Sequence, residues 1–301
     1  MNILVTGAHR TGTTWVGQML AAGGLAYVSE PLNVLHRRGV MSAPLKNWYT
    51  YITRENEAEF LSAFQNTLAL RYQFFAELKS LRSSRDFLRM GRDLSIFLRG
   101  RALRQPVLLK DPFAIFSIPW FAEKLNCRIV VTVRHPAAFA SSLKRLNWPF
   151  DFHDLSNQPL LMRDHLEADR ADMQRIQPDD IIAQSALLWR IIYRVVKRTV
   201  ERIPSILILR HEDLSRDPLT GFARAYESLG LAYPLKVQET IRKASSSENP
   251  AELSRQKTHS VKLDSRANLD NWKKRLSAEE IARIRAITEE VASFYYPENN
   301  W

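Results

Sequence analysis

A chain of 301 residues, 45% hydrophobic and 25% charged, is long enough for one large α/β domain or two small ones, and its composition excludes extended disorder. Against 32 acidic residues stand 43 Lys and Arg, and the resulting +11 favours anionic ligands without choosing among nucleotides, acidic glycans, nucleic acid and a membrane surface. The one cysteine, Cys127, excludes a disulfide scaffold and a cysteine-rich metal site and makes a reducing compartment the simpler reading.

In chain order, Asn2-Ile-Leu-Val-Thr6 reads as a buried strand closed by Gly7. Helical spacing follows from Thr13 to Ala22, with Trp15, Val16, Met19 and Leu20 on one side, and Gly23-Gly24 ends it. Ala26-Tyr-Val28 supplies a second strand, so the chain opens with a β-loop-α-β unit and a parallel sheet. The interruption at Gly7-Ala-His-Arg10 argues against a signal peptide, and no stretch reaches the ~18 apolar residues of a membrane span. The expected place is therefore the cytoplasm, with peripheral attachment to the inner membrane surface left open.

A helical insertion is expected at roughly 45–105. Further strands are read at Pro106–Lys110, Arg128–Val133 and Ile206–Leu209. They run into Lys110-Asp-Pro112, Arg134-His-Pro136 and Arg210-His-Glu-Asp213, the pattern of a parallel sheet with its site at the carboxyl ends. Helices are expected over Ile181–Arg202 and Gly221–Leu229. Ser277-Ala-Glu-Glu280 is a capping box ahead of Ile281, Ile284, Ile287 and Val291. The expected architecture is one α/β domain over 1–301, a three-layer sandwich around a central parallel sheet with a P-loop-like phosphate loop.

That loop is Gly7-Ala-His-Arg-Thr-Gly-Thr-Thr14, whose glycines let backbone N–H groups approach phosphate oxygens at a helix N-terminus. A nucleotide triphosphatase needs Lys directly after the second Gly, where this chain has Thr13, and the cation sits inside the loop at Arg10. Arg134 likewise stands where a magnesium-organising Asp would be expected. Several cations with no metal-binding carboxylate suit transfer of a group less charged than phosphoryl, namely sulfuryl, and no metal is expected. Arg134, at the strand end, and Ser142, two turns into the following helix, form a second phosphate receptor.

His9-Arg-Thr-Gly-Thr-Thr-Trp15 resembles the 5′-phosphosulfate loop of the sulfotransferases that use 3′-phosphoadenosine 5′-phosphosulfate, usually P-K-S-G-T-T-W. Arg134 and Ser142, eight residues apart, have the spacing of that family's 3′-phosphate motif. Ser265-Arg-Ala-Asn-Leu-Asp-Asn-Trp-Lys273 is similar to its late R-K-G-x-x-G-D-W-K segment, matching at Trp272 and Lys273 with both glycines missing. Arg210-His-Glu-Asp-Leu214 resembles its Y-E-D strand end, with His211 in place of an adenine-side Tyr. The resemblance implies the phosphosulfate as donor, adenosine 3′,5′-bisphosphate as product, and donor binding by His9, Arg10, Thr11, Gly12, Thr13, Thr14, Trp15, Arg134, Ser142, Lys257 and Arg266.

Small-molecule members carry a K-T-H histidine as base, whereas this chain has Lys110-Asp-Pro112. Ser29-Glu-Pro31 resembles the glycan-modifying branch, which implies Glu30 as general base, with Arg10 and Lys110 holding the sulfate and Asp111 as the fallback base. The acceptor is expected to be a carbohydrate, helped by Trp48, Tyr49 and Tyr51 as stacking residues; a small-molecule or lipid hydroxyl is the close rival. A P-loop kinase and a catalytically silent nucleotide-binding protein are the alternatives from other classes. Arg82, Arg85, Arg89, Arg92 and Arg99 fall on one helical face, either a rim for an anionic glycan or lipid or a solvated surface. No aromatic-basic pattern accompanies them, so nucleic acid is not expected. The oligomeric state is left open.

Overall fold

In the computed structural model the described residues are 1–35, 38–252, 262–297 and 301. Five strands, β1 (Asn2–Gly7), β2 (Ala26–Ser29), β3 (Val107–Lys110), β4 (Cys127–Val133) and β5 (Leu207–Arg210), form an all-parallel sheet of order β2-β3-β1-β4-β5. Helix α1 (Thr13–Ala21) follows the first strand; α2 (Leu61–Leu68), α3 (Phe74–Leu78) and α4 (Ser84–Ala102) fill the segment between β2 and β3. Next come α5 (Ile118–Glu123), α6 (Pro136–Leu146), the short α7 (His153–Ser156), α8 (Pro159–Leu161) and α9 (Arg170–Arg175), and the long α10 (Ile181–Arg202). After β5 stand α11 (His211–Arg216), α12 (Pro218–Ser228), α13 (Leu235–Ser245), α14 (Asn271–Arg275) and α15 (Ala278–Tyr295).

Alternation along the strands decides the layers. Ile3, Val5, Leu108 and Val130 face one side, where they pack with Trp15, Met19 and Leu20 of α1 and Phe222 and Tyr226 of α12. Their neighbours Leu4, Leu109, Ile129 and Val131 face the other side, against Phe121, Phe139, Leu188 and Ile192. Both faces are covered, as a parallel sheet requires, and the result is the three-layer α/β sandwich.

Most element boundaries lie within a residue of the sequence reading. The helix expected from Gly221 begins earlier, at Pro218, because Asp217 accepts from the Thr220 N–H (3.2 Å) and proline suits a first helical turn. The capping box forms: Ser277 Oγ accepts from Glu280 N (3.1 Å) and Glu280 Oε2 from Ser277 N (2.8 Å). Helix α13 was not anticipated, although Val237, Ile241 and Ala244 carry helical spacing and are its buried residues.

The carboxyl edge of the sheet is held from below by α10. The buried Tyr193 hydroxyl donates to Thr132 O (2.8 Å) and accepts from Ala8 N (3.2 Å), tying the exit of β4 to that of β1. Trp189 Nε1 donates to Arg134 O (2.8 Å), one step further along β4. Tyr193→Phe leaves a buried carbonyl and a buried amide without this partner. It is expected to lower unfolding free energy by ~1–3 kcal/mol in a urea titration, with an unchanged denaturant slope.

Candidate active site

Two glycines shape the loop that leaves β1. Gly7 has φ +152°, and a Cβ there would lie 2.5 Å from Thr132 O; Gly12 has φ +94°, and a Cβ would lie 2.8 Å from His211 Nδ1. Thr11 points inward, donating to Ala8 O (2.6 Å) with its oxygen 2.8 Å from Thr132 Oγ1. Gly12 offers α1 no side-chain cap, so the first-turn N–H groups face the cleft that Gly12, Thr13, Thr14 and Trp15 line. Arg10 (φ 70°) and Glu30 (φ 52°) also hold left-handed backbones, unusual for residues with side chains and typical of functional edges.

The cleft has a volume of about 400 Å³ and runs along the carboxyl ends of the strands. Two guanidinium groups, those of Arg10 and Arg134, line it, and Arg145 lies close enough to act on both. Arg10 Nε donates to Ser142 Oγ (3.2 Å), and Arg134 Nη1 donates to Arg10 O (3.3 Å). Burial, then Arg134 and Arg145, lower Arg10 to about 10; burial likewise lowers Arg134 and Arg145. All three stay charged at neutral pH. Glu212, which acts on Arg134, also accepts from His135 N (2.9 Å) and Tyr296 Oη (2.8 Å), and Glu252, which acts on Arg145, also pairs with Arg275 (2.7 Å). The side wall adds buried polar atoms without a protein partner among the described residues, Trp15 Nε1, Arg134 Nε, His211 Nδ1 and Ser215 Oγ. Buried donors and acceptors in this state are open to a water or a ligand in the cleft.

On the opposite side stands Glu30. Its amide donates to Lys110 O (2.6 Å), Lys110 Nζ donates to its Oε1, and Asn33 Nδ2 donates to Oε2 (2.9 Å). Lys110 is 2% exposed, so its ammonium serves to hold this carboxylate at the cleft wall. Asp111 is fully enclosed; its oxygens accept from Leu32 N (2.5 Å) and Phe113 N (3.0 Å), which makes it a backbone brace and removes it as the fallback base. Above Glu30 the wall is apolar, with Leu35, Trp48, Phe113 and Trp148. His9 completes it. Its Nδ1 lies 2.6 Å from Tyr49 Oη, which also accepts from His9 N (3.3 Å). Burial, then Arg10, lower His9 to about 3, while burial raises Tyr49, so the imidazole is neutral and the phenol keeps its proton. The Tyr49 O–H then donates to Nδ1, and this network assigns the ring N–H to Nε2.

Glu30 also borders a second cavity of about 560 Å³, bounded by Tyr27 and Ser29 of β2 and by Arg89 and Arg92 of α4. The two cavities share Thr14, Glu30, Asn33 and Leu35. Glu30 is thus reachable from the main cleft and from the α4 side.

The structure brings His9, Arg10, Gly12, Thr13, Thr14, Trp15, Glu30 and Arg134 to one cleft, with Ser142 and Lys110 directly behind it. Thr11 is internal to the loop. Arg266 turns away, its Nε donating to Arg216 O (2.9 Å), while its neighbours Leu263, Ser265 and Asn268 line the cleft. Lys257 lies outside the described residues. Of the aromatic trio, Trp48 lines the cleft, Tyr49 is core, and Tyr51 bonds Asp164 (3.1 Å) and His165 (3.1 Å) elsewhere. Arg82 precedes α4, whereas Arg85, Arg89, Arg92 and Arg99 lie on it. Sequence reasoning missed Trp148, Phe113, Arg145 and Ser215, none of which stands in a recognisable motif.

A parallel α/β sheet with an uncapped helix N-terminus, clustered guanidinium groups and a carboxylate at its carboxyl edge has the chemistry to receive an anionic ligand. A sequence model described as the sulfotransferase family matches residues 2–235, and the chain belongs to that family. A comparison with curated protein sequences finds no significant match. Similar solved structures include the sulfotransferase domain from the curacin biosynthetic pathway, with 17% identity, TM-score 0.45, and 95% of this chain and 96% of that one covered. Sulfotransferase STF9 from Mycobacterium avium shows 16% identity and TM-score 0.47, covering 97% and 76%. Mouse sulfotransferase SULT7A1 complexed with PAP shows 11% identity and TM-score 0.41, covering 99% and 86%.

Burial raises the Asp111 carboxyl to about 7, against the pull of its two backbone N–H donors. Its folded value lies above the unfolded one of ~3.9, so its contribution to stability is present below that pH and is lost as pH rises towards 7. Asp111→Asn, which removes the titration, should flatten the fall in melting temperature between pH 4 and pH 7 relative to the parent chain.

Proposed function

We propose that this sulfotransferase uses 3′-phosphoadenosine 5′-phosphosulfate and transfers its sulfuryl group to a carbohydrate hydroxyl, with Glu30 as the general base. The observation that carries the reading is the pair Arg10 and Arg134 lining the cleft, with Arg145 close enough to act on both, beside the open N-terminus of α1. Arg134 and Arg145 would hold the 3′-phosphate. The first-turn N–H groups from Thr13 to Trp15 would hold the 5′-phosphate, and Trp15, His211 and Ser215 would flank the base with their unused polar atoms. Ser142, which sequence alone aims at phosphate, also orients Arg10.

In the transfer the acceptor oxygen bonds to sulfur as the bond from sulfur to the bridging phosphate oxygen breaks. Glu30 takes the acceptor proton, and Arg10 neutralises the charge developing on the leaving phosphate oxygen, where electrostatic stabilisation acts on the transition state. Lys110 positions the Glu30 carboxylate, and the His9 Nε2–H is available to the transferring group or the acceptor. Trp48 and Trp148 offer flat faces for a sugar ring, and Arg89 and Arg92 border the cavity that reaches Glu30 from the α4 side. A second reading, a phenolic or alcoholic small molecule, is favoured by the apolar wall of Leu35, Phe113 and Trp148.

Glu30→Gln is expected to cut labelled-sulfate transfer by ~10²-fold or more while adenosine 3′,5′-bisphosphate still raises the melting temperature. Transfer at parental rate would remove Glu30 as the base, and no shift with bisphosphate would remove the donor assignment. With the parent enzyme, label from the phosphosulfate is expected on members of a glycan panel. Label confined to phenols in the same assay would overturn the carbohydrate acceptor.

A further inference from the structure

Helix α4 has three distinct sectors, at 100° per residue. Met90, Asp93, Phe97 and Gly100 are its buried side. Arg85, Arg89 and Arg92, spaced by four and three, form a second stripe. Phe87, Leu88 and Leu98 form a third, facing solvent, at 59%, 73% and 60% exposure. Gly91 lies within that third stripe, and a Cβ there would meet nothing within 4 Å, so no neighbouring element covers it. The preceding α3 adds exposed Phe74, Phe75 and Leu78. Together α3 and α4 carry six of the twelve exposed large apolar side chains among the described residues.

Charge concentrates in the same place. Residues 71–104 contain nine Lys and Arg against three acids, so more than half of the chain's +11 sits there. Two of the acids, Glu77 and Asp93, are buried; the third, Asp86, caps the helix start with Ser83 and lies 3.6 Å from Arg89. The outward surface is therefore basic and apolar at once. Protein–protein interfaces deplete charge at their centre, whereas an amphipathic surface helix on an anionic bilayer sets Phe and Leu beside Lys and Arg. No described helix is long and apolar enough to cross a membrane, which leaves α4 lying along one.

We propose that α3 and α4 form a peripheral docking surface for an anionic phospholipid bilayer. Phe75, Phe87, Leu88 and Leu98 enter the boundary between headgroups and acyl chains, while Arg82 and Arg85 meet lipid phosphates. The surface lies apart from the donor cleft and does not depend on the identity of the acceptor.

Co-sedimentation tests this, using vesicles of phosphatidylcholine alone and vesicles in which part of it is replaced by phosphatidylglycerol. Partitioning onto the anionic vesicles is expected to be ~10-fold or more stronger and to weaken as salt is raised. Phe87→Ser with Leu88→Ser should abolish it, and Arg82→Gln with Arg85→Gln should reduce it to the neutral-vesicle level. Both double variants should keep the parental melting temperature and bisphosphate binding. Equal partitioning on the two vesicles, no partitioning at all, or parental partitioning by both folded variants would overturn the proposal. So would a concentration-dependent dimer that dissociates on Phe87→Ser with Leu88→Ser, which would assign the surface to a second copy of the chain.

Discussion

Like charge gathered at the carboxyl edge of a parallel sheet is the constraint on which the cleft depends. Arg10, Arg134 and Arg145 come from the loop after β1, the residue after β4 and the last turn of α6; Arg134 and Arg145 depress the protonation of Arg10, and Arg145 that of Arg134. Such a cluster is unfavourable by itself, since burial removes water from guanidinium groups that repel one another. Glu212 and Glu252 offset part of that repulsion at Arg134 and Arg145 while also bonding His135, Tyr296 and Arg275.

Holding such an edge takes a rigid support. Tyr193 and Trp189, both from the buried side of α10, bond the backbone of β4 and of the loop after β1, so the two strands that carry Arg10 and Arg134 cannot separate independently. His135 adds to this by capping α6 and stacking on Trp272 at 5.3 Å. Burial lowers its imidazole to about 4, so it contributes no further positive charge at neutral pH. The same logic covers His9, a neutral histidine beside Arg10 that turns an N–H donor to the cleft.

Much of the architecture was legible because parallel strands buried on both faces are short apolar runs, and because Gly, Pro and capping residues punctuate them. The strand ends at Lys110, Arg134 and Arg210 were visible as abrupt changes from apolar to charged residues. The glycine loop was legible too, since such loops are contiguous and their glycine spacing survives in the sequence. Thr11 and Arg266 show where that legibility ends: each stands at a motif position, yet one is turned into the loop and the other onto a backbone carbonyl.

The sequence by itself determined the strands of the sheet, the glycine loop and the spacing of Arg134 and Ser142, because each depends on residues close together in the chain. Only the tertiary structure decided that Glu30 is held by Lys110, that Arg10 reaches Ser142, and that Trp48, Phe113 and Trp148 line one cleft. It also showed that the arginines of α4 share their outward surface with an uncovered apolar stripe. These are contacts between segments far apart in sequence. Their geometry follows from how the layers pack, which local periodicity does not encode.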